Sequence, residues 1–170
     1  VFEKLGANPG YLIGGVMEER PSSKLGNGNY FFIESDEYDS AYFEKISKFR
    51  SYSLDNLILT SLEFDHADIF NSVEDIKNQF RATIPTISKM VIMSADYPAA
   101  VELFNEFTNG DNKRWIQYGE KADIGPKILE ASPRGSRFQL IFNSQSFVFE
   151  TNLIGRHNVL NLAAVVLYAL

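Results

Sequence analysis

The sequence has no cysteine and only two histidines among its 170 residues. Without cysteine, neither disulfide bridges nor thiolate metal sites are possible. No stretch approaches the roughly 20 consecutive apolar residues that a membrane-spanning helix requires. No basic segment followed by an apolar segment indicates export, so we expect a cytoplasmic location and no membrane partner.

Positive charge is also scarce, with 16 Lys and Arg against 22 Asp and Glu and a net charge of −6. Such a chain repels phosphate backbones unless its basic residues cluster, and here they are dispersed. We therefore expect no nucleic-acid partner. Hydrophobic residues make up 45% of the chain, which is enough for one globular domain with a buried core and excludes disorder.

Short apolar runs alternate with segments of helical spacing in the first two thirds of the chain. Helices are predicted at residues 72–84, with Ser72 as N-cap, and at residues 98–107. Strands that alternate with helices indicate a parallel sheet with right-handed crossovers. The predicted strands are 11–16, 30–33, 57–61 and 89–94, and residues 40–49 are predicted to form a short helix or a substrate-facing loop.

From residue 114 onward, short strands are separated by turns rich in Gly, Pro, Asn and Ser. Consecutive strands of this kind pair in antiparallel fashion. They are predicted at 115–118, 127–131, 137–142 and 146–151, before a final helix. The predicted fold is therefore α/β, with a mostly parallel sheet flanked by helices and an additional antiparallel β segment toward the C-terminal part.

Two acidic segments follow predicted strands. The segment E-S-D-E-Y-D at 34–39 follows the strand at 30–33, and E-F-D-H-A-D at 63–68 follows the strand at 57–61. Open α/β sheets bind ligands at the carboxyl ends of their strands, and carboxylate oxygens suit magnesium. The pattern therefore favours a divalent-metal site. The alternative is a pair of solvated loops with an ordinary surface histidine.

A third motif, G-R-H-N-V-L-N at 155–161, opens the final helix. Asn158 and Asn161 are three residues apart and share one helix face, so their carboxamides match the donor and acceptor edge of a base such as adenine. The alternative is an asparagine N-cap with polar neighbours.

In this order, the three motifs resemble the central ATPase domain of the Mur ligases, and the resemblance covers nearly the whole chain. These enzymes use ATP to activate a carboxylate as an acyl phosphate and join it to an amine during murein synthesis. Residues 36–49 and 62–70 are most similar to members that join UDP-N-acetylmuramate to a murein tripeptide during recycling. UDP-N-acetylmuramate–L-alanine ligases are the alternative within the family.

The resemblance implies a catalytic set in the two acidic segments and the cofactors ATP and Mg²⁺. By position, Glu34 and His66 match the magnesium-binding glutamate and histidine of the family. Asp36, Glu37 and Glu63 are implied to orient water, metal or substrate.

The same resemblance implies an adenine-contacting segment formed by His157, Asn158 and Asn161. Asp65 and Asp68 are implied to shape the loop that carries the histidine. Some relatives use a carbamylated lysine after this loop, but Phe80 occupies the corresponding position, and nearby Lys77 is not assumed to be modified.

The glycine-rich phosphate loop of the family, ending in Gly-Lys-Thr, is absent from these 170 residues. By resemblance it precedes Val1. We therefore expect residues 1–170 to be the central ATP-binding domain of a larger ligase, without its N-terminal UDP-binding domain, phosphate loop and C-terminal domain, and to be inactive alone.

Two functions of other classes remain open. An Asp-His-Ala-Asp loop can also hold metals that activate water in a phosphoesterase, although such sites usually contain more histidines than the two present here. A non-catalytic module whose acidic loops bind a protein partner is the other alternative.

Overall fold

A computed structural model describes residues 1–16, 20–35, 39–41, 44–64, 70–109 and 112–170. Three helices and eleven strands lie within these ranges. The strands are β1 (Gly10–Leu12), β2 (Ser23–Lys24), β3 (Phe31–Ile33), β4 (Asp39–Ala41), β5 (Glu44–Ser47), β6 (Asn56–Leu59), β7 (Met90–Ser94), β8 (Arg114–Tyr118), β9 (Lys127–Ser132), β10 (Gly135–Phe142) and β11 (Gln145–Thr151). The helices are α1 (Val73–Thr83), α2 (Pro98–Phe107) and α3 (Arg156–Ala169).

The centre of the fold is a parallel sheet of β6, β7 and β8, in that order. Helix α1 connects β6 to β7, and α2 connects β7 to β8. Alternate side chains of β7 serve opposite faces of this sheet: Val91 and Met93 pack with α1 and α2, whereas Ile92 packs with α3. The sheet is therefore buried on both faces, as the continuous apolar run of β7 requires.

The second face is covered by α3 and by an antiparallel sheet with the order β11-β10-β9. Phe138 and Leu140 of β10 are fully buried in one cluster with Val159 and Ala163 of α3. The predicted antiparallel segment is confirmed for these three strands. Because α3 packs on this cluster, the cluster holds the first turn of α3 near the ends of the central strands.

A smaller mixed sheet joins β1, β2 and β3, with β1 and β3 parallel. Phe2 is buried against Tyr30, Phe32 and Tyr168, with ring centroids 4.8 to 5.6 Å apart. Gly6 has φ +75° and closes the first turns, because its N–H donates to Glu3 O and the next N–H donates to Phe2 O. These two hydrogen bonds have the pattern of a Schellman motif, in which glycine adopts the required positive φ.

Two local predictions were wrong. Residues 39–41 and 44–47 pair as the antiparallel strands β4 and β5, where a short helix or a loop was predicted. A 3₁₀ turn at Lys48–Ser51 follows them. Strand β8 pairs parallel with β7 and not with β9. The preceding α2 is a crossover connection, which brings the chain back to the end of the sheet where β7 begins, so β8 runs parallel to β7.

The helix predictions at 72–84 and 98–107 are confirmed within one residue at each end. Ser72 is the N-cap of α1: its Oγ accepts from the N–H of Asp75 at 3.3 Å, and its hydroxyl donates to the Asp75 carboxylate at 3.0 Å. The first of these bonds satisfies one of the unpaired N–H donors of the first turn.

Candidate functional site

A cavity of about 500 Å³ lies where β7 and β8 end and α3 begins. Three chain segments supply its walls: the turn after β7, the turn after β8 and the first turns of α3. Ligands of open α/β sheets bind at this edge. The lining residues are Asp96, Tyr97, Glu120, Lys121, Arg156, His157 and Leu160.

Asp96 joins the first two of these walls. Its Oδ1 accepts hydrogen bonds from the N–H of Glu120 at 2.8 Å and the N–H of Lys121 at 3.0 Å. In return, Lys121 Nζ donates to Asp96 O at 3.3 Å. The preceding Ala95 N–H donates to Tyr118 O at 2.7 Å, which continues the ladder of β7 and β8 into the turns.

The third wall begins at Gly155, the N-cap of α3, with φ +93°. A Cβ at this position would lie 3.0 Å from Cε1 of His157, so glycine leaves the space that the imidazole occupies. Arg156 forms an ion pair with Glu120 and thereby connects α3 to the turn after β8. The cavity is thus lined by the cationic Arg156 and the anionic Glu120, with the imidazole of His157 next to Arg156 in the sequence of α3.

The three residues predicted to contact adenine are not equivalent in the structure. His157 lines the cavity. Asn158 Nδ2 donates to Ile154 O at 2.8 Å, so its amide nitrogen holds the loop before α3. Asn161 is exposed one turn further along the helix. Their contact with a base remains a prediction.

Of the predicted metal site, the structure describes Glu34 and Glu63, both exposed. The Oε2 atom of Glu34 accepts a hydrogen bond from Gly14 N–H at 2.9 Å, which holds the carboxylate beside the loop after β1. Asp36, Glu37 and the whole 65–68 segment, including His66, lie outside the described residues. Within the described ranges, no group of three or more His, Asp or Glu side chains is arranged to hold a metal ion.

The cavity also contains residues that sequence reasoning missed. Asp96 and Tyr97 lie in the turn after β7, and Glu120 and Lys121 lie in the turn after β8. The rule that drew attention to the acidic segments, polar residues just past a strand, applies to both places. The signal is weaker there, since S-A-D-Y-P at 94–98 and Y-G-E-K at 118–121 carry only one carboxylate each.

Lys77 and Phe80 both lie on α1, and neither lines the cavity. Lys77 is 5% exposed, and its Nζ donates to Glu102 at 2.5 Å and to Glu74 at 2.8 Å. These hydrogen bonds raise the pKa of Lys77 above its ordinary value of 10.5. Phe80 is buried and stacks on Phe49 with ring centroids 4.6 Å apart. The structure therefore gives no support for a carbamylated Lys77, because carbamylation requires a neutral amine.

Fold and sequence together define the class of protein. Residues 23–169 match the Mur ligase middle domain, and the chain belongs to this family. The predicted resemblance to the Mur ligases is confirmed.

The relatives indicate the branch of the family. The chain is 35% identical, over 95% of its length, to UDP-N-acetylmuramate–L-alanyl-γ-D-glutamyl-meso-2,6-diaminoheptandioate ligase of Haemophilus influenzae. It is 30% identical, over its full length, to UDP-N-acetylmuramate–L-alanine ligase of Syntrophomonas wolfei. It spans 35% and 36% of these two proteins.

Among solved structures, the chain is similar to the murein tripeptide ligase of Neisseria meningitides. The TM-score is 0.82 at 30% identity, and the match covers 99% of this chain and 54% of that one. The chain is thus similar to the murein tripeptide ligases, the group within the family that the motifs predicted. No helix in the described part of the chain is long and apolar enough to cross a membrane.

Proposed function

We propose that this chain is the ATP-binding central domain of an ATP-dependent ligase that joins UDP-N-acetylmuramate to a murein tripeptide in cell-wall recycling. The observation that carries the proposal is the 35% identity, over 95% of the chain, to a ligase named for these substrates. A cytoplasmic location belongs to the same proposal, because ATP and UDP-linked sugars are cytoplasmic metabolites.

The cavity at the start of α3 suits a nucleotide. Tyr97 and Leu160 offer apolar surface to a base, while Arg156, Lys121 and the helix N-terminus offer donors to phosphate beside the carboxylates of Asp96 and Glu120. The imidazole of His157 adds a polar group that both donates and accepts. In this proposal, Asn158 and Asn161 complete the contacts to adenine.

The donors in the two acidic segments suit Mg²⁺, since hard oxygen ligands dominate them. Glu34 and His66 would hold the ion, and the backbone hydrogen bond from Gly14 orients the Glu34 carboxylate. When bound, magnesium neutralises charge on the transferring phosphoryl group. Asp36, Glu37 and Glu63 would position water or the muramyl carboxylate around it.

The reaction proceeds in two transfers. The muramyl carboxylate attacks the γ-phosphorus of ATP, forming an acyl phosphate and releasing ADP. The tripeptide amine then attacks the acyl carbon, loses a proton and expels inorganic phosphate as the amide bond forms. Both steps depend mainly on positioning and charge stabilisation by the protein.

Full-length protein tests the choice of substrate. With ATP, Mg²⁺ and UDP-N-acetylmuramate, we expect ADP release when the tripeptide is added and little release with L-alanine. The opposite preference would support the L-alanine ligase alternative, which the Syntrophomonas relative represents. Hydrolysis of a generic phosphate ester with manganese, without ligation, would instead indicate the phosphoesterase alternative. A flat nucleotide titration would favour a non-catalytic module.

The metal assignment is tested with Glu34→Ala and His66→Ala in the same protein. Each is expected to lower kcat for magnesium-dependent ADP release by about a hundredfold or more, the usual effect of removing one group that stabilises transition-state charge. Glu130→Gln, at an exposed position on β9, serves as the control with unchanged turnover. Normal turnover in both alanine variants would refute the assignment.

A further inference from the structure

The side chain of Asp96 binds the backbone of the turn after β8. Both N–H groups of Glu120 and Lys121 donate to the same carboxylate oxygen of Asp96. Hydrogen bonds to a carboxylate are shorter and about twice as strong as those between neutral groups. Loss of this oxygen would leave two backbone donors without the acceptor that orients them.

The backbone at Gly119 is adapted to this contact. Its φ of +132° is a conformation that L-residues rarely adopt, and a Cβ there would lie 2.8 Å from Oδ2 and 2.9 Å from Cγ of Asp96. A side chain at 119 would therefore push against the carboxylate. Glycine allows the turn to approach Asp96 closely.

The turn at 119–121 also forms one wall of the cavity. Glu120 and Lys121 both line it, and Glu120 forms the ion pair with Arg156 at the start of α3. A shift of the turn would thus move two lining side chains directly and a third through the ion pair. Asp96 also lines the cavity, so the carboxylate that binds the turn lies next to the space for a ligand.

We infer that Asp96 is a positioning residue of the nucleotide cavity: its carboxylate holds the turn at 119–121, and through Glu120 it holds Arg156, in the arrangement that receives the nucleotide. The inference rests on the proposed function, because it takes the occupant of the cavity to be ATP. It assigns Asp96 a role in ATP affinity and none in the chemical steps.

The inference separates ATP affinity from turnover. In the full-length enzyme, Asp96→Ala removes the acceptor, Gly119→Ala displaces it, and Asp96→Asn keeps an oxygen that accepts from both N–H groups. We expect the KM for ATP to rise about tenfold in the first two, which corresponds to about 1.4 kcal/mol of binding energy. Asp96→Asn should restore most of the affinity, with a KM within about threefold of wild type, since only the charge of the acceptor is lost.

The other kinetic constants provide the contrast. The kcat and the KM values for UDP-N-acetylmuramate and the tripeptide should stay within about twofold of wild type in all three variants, because a positioning role in one cavity affects one substrate. Asp123→Ala is the matched control, since Asp123 is an exposed carboxylate of the same loop. It should leave every constant unchanged.

Two results would overturn the inference. One is a wild-type KM for ATP in folded Asp96→Ala. The other is a parallel loss of kcat and of affinity for all three substrates, which would indicate a general structural role. If Asp96→Ala does not fold, Gly119→Ala decides, because it disturbs the same turn and retains the carboxylate. Failure of the wild-type enzyme to ligate would refute the proposed function, whereas normal ligation with an unaffected KM for ATP refutes only this inference.

Discussion

Lys77 illustrates what a single side chain contributes in this fold. Its ammonium group is almost completely buried, yet it is bonded to two carboxylates that belong to different helices, Glu74 on α1 and Glu102 on α2. A buried charge is tolerated only when it is paired in this way. The residue therefore links two helices and is not available as a metal-binding or carbamylated group.

The first prediction follows from this role. Lys77→Arg keeps the positive charge and the ion pairs but cannot be carbamylated. In the full-length ligase we expect kcat and all KM values within about twofold of wild type, as for a group outside the reaction. Lys127→Arg, at an exposed position, is the control. A large drop in kcat that added bicarbonate cannot restore would show that a modified Lys77 takes part in catalysis.

Tyr118 provides a second prediction at this scale. The side chain is 1% exposed, and its hydroxyl has no hydrogen-bond partner among the described residues. Burial raises the pKa of Tyr118, and the nearby Asp96 charge adds to this effect, so the group remains a neutral phenol. A buried, unpaired hydroxyl costs free energy. Tyr118→Phe should therefore either raise the free energy of unfolding or lower it by less than about 1 kcal/mol.

Urea denaturation measures this difference, and Tyr97→Phe, at a partly exposed tyrosine, is the comparison. A loss above about 1.5 kcal/mol would show that the Tyr118 hydroxyl does donate a hydrogen bond.

At the scale of elements, α1 and α2 are joined along their length by ion pairs. Arg81 donates to both carboxylate oxygens of Glu106, from Nε at 2.7 Å and from Nη2 at 2.8 Å. Arg81 holds the pKa of Glu106 below its ordinary value of 4.5. Bidentate geometry makes this pair stronger than a single contact, although solvent screens a carboxylate that is 39% exposed.

Glu106→Gln is therefore expected to cost about 0.5 to 1 kcal/mol of unfolding free energy at pH 7. Since the carboxyl pKa is lower in the folded than in the unfolded chain, this contribution is fully present above pH 4.5 and is lost as the pH falls through the folded-state value. Denaturation curves of both proteins between pH 7 and 3 should therefore converge. Glu150→Gln is the control, because its pair with Arg137 is exposed and 3.5 Å long, and it should show no difference. A pH-independent gap for Glu106→Gln would contradict the ionic origin.

At the scale of the whole molecule, the central sheet divides the interior into two cores. Phe80 belongs to the core beneath α1 and α2, and Leu140 belongs to the core beneath α3. Only the second core supports the first turn of α3, which lines the cavity. Equal losses of packing should therefore have unequal effects on nucleotide binding.

Phe80→Ala and Leu140→Ala test this division. Each should lower the free energy of unfolding by about 2 to 5 kcal/mol, because both side chains are buried and leave a cavity. In full-length protein that remains folded, Leu140→Ala should also weaken ATP binding several-fold by calorimetry. Phe80→Ala should change the dissociation constant less, because Tyr97 is the lining residue that packs against the first core. Equal effects on ATP binding would show that the cavity does not depend on which core is disturbed.

Local patterns in the sequence determined much of this architecture. Ser72 at an N-cap and the helical spacing of residues 98–107 each act over a few residues, so they could be predicted with nearly correct boundaries. The motifs at 155–161 also identified the helix that borders the cavity, and they led to the family.

Tertiary structure alone decided which segments meet. The pairing of β8 with β7, the hairpin of β4 and β5, and the bonds from Asp96 to residues 24 and 25 positions further along the chain all depend on long-range contacts. Their energy comes from burial and from hydrogen-bond partners distant in sequence, which no local pattern records. For this reason the sequence by itself identified the kind of protein, whereas the folded chain revealed the walls of its cavity.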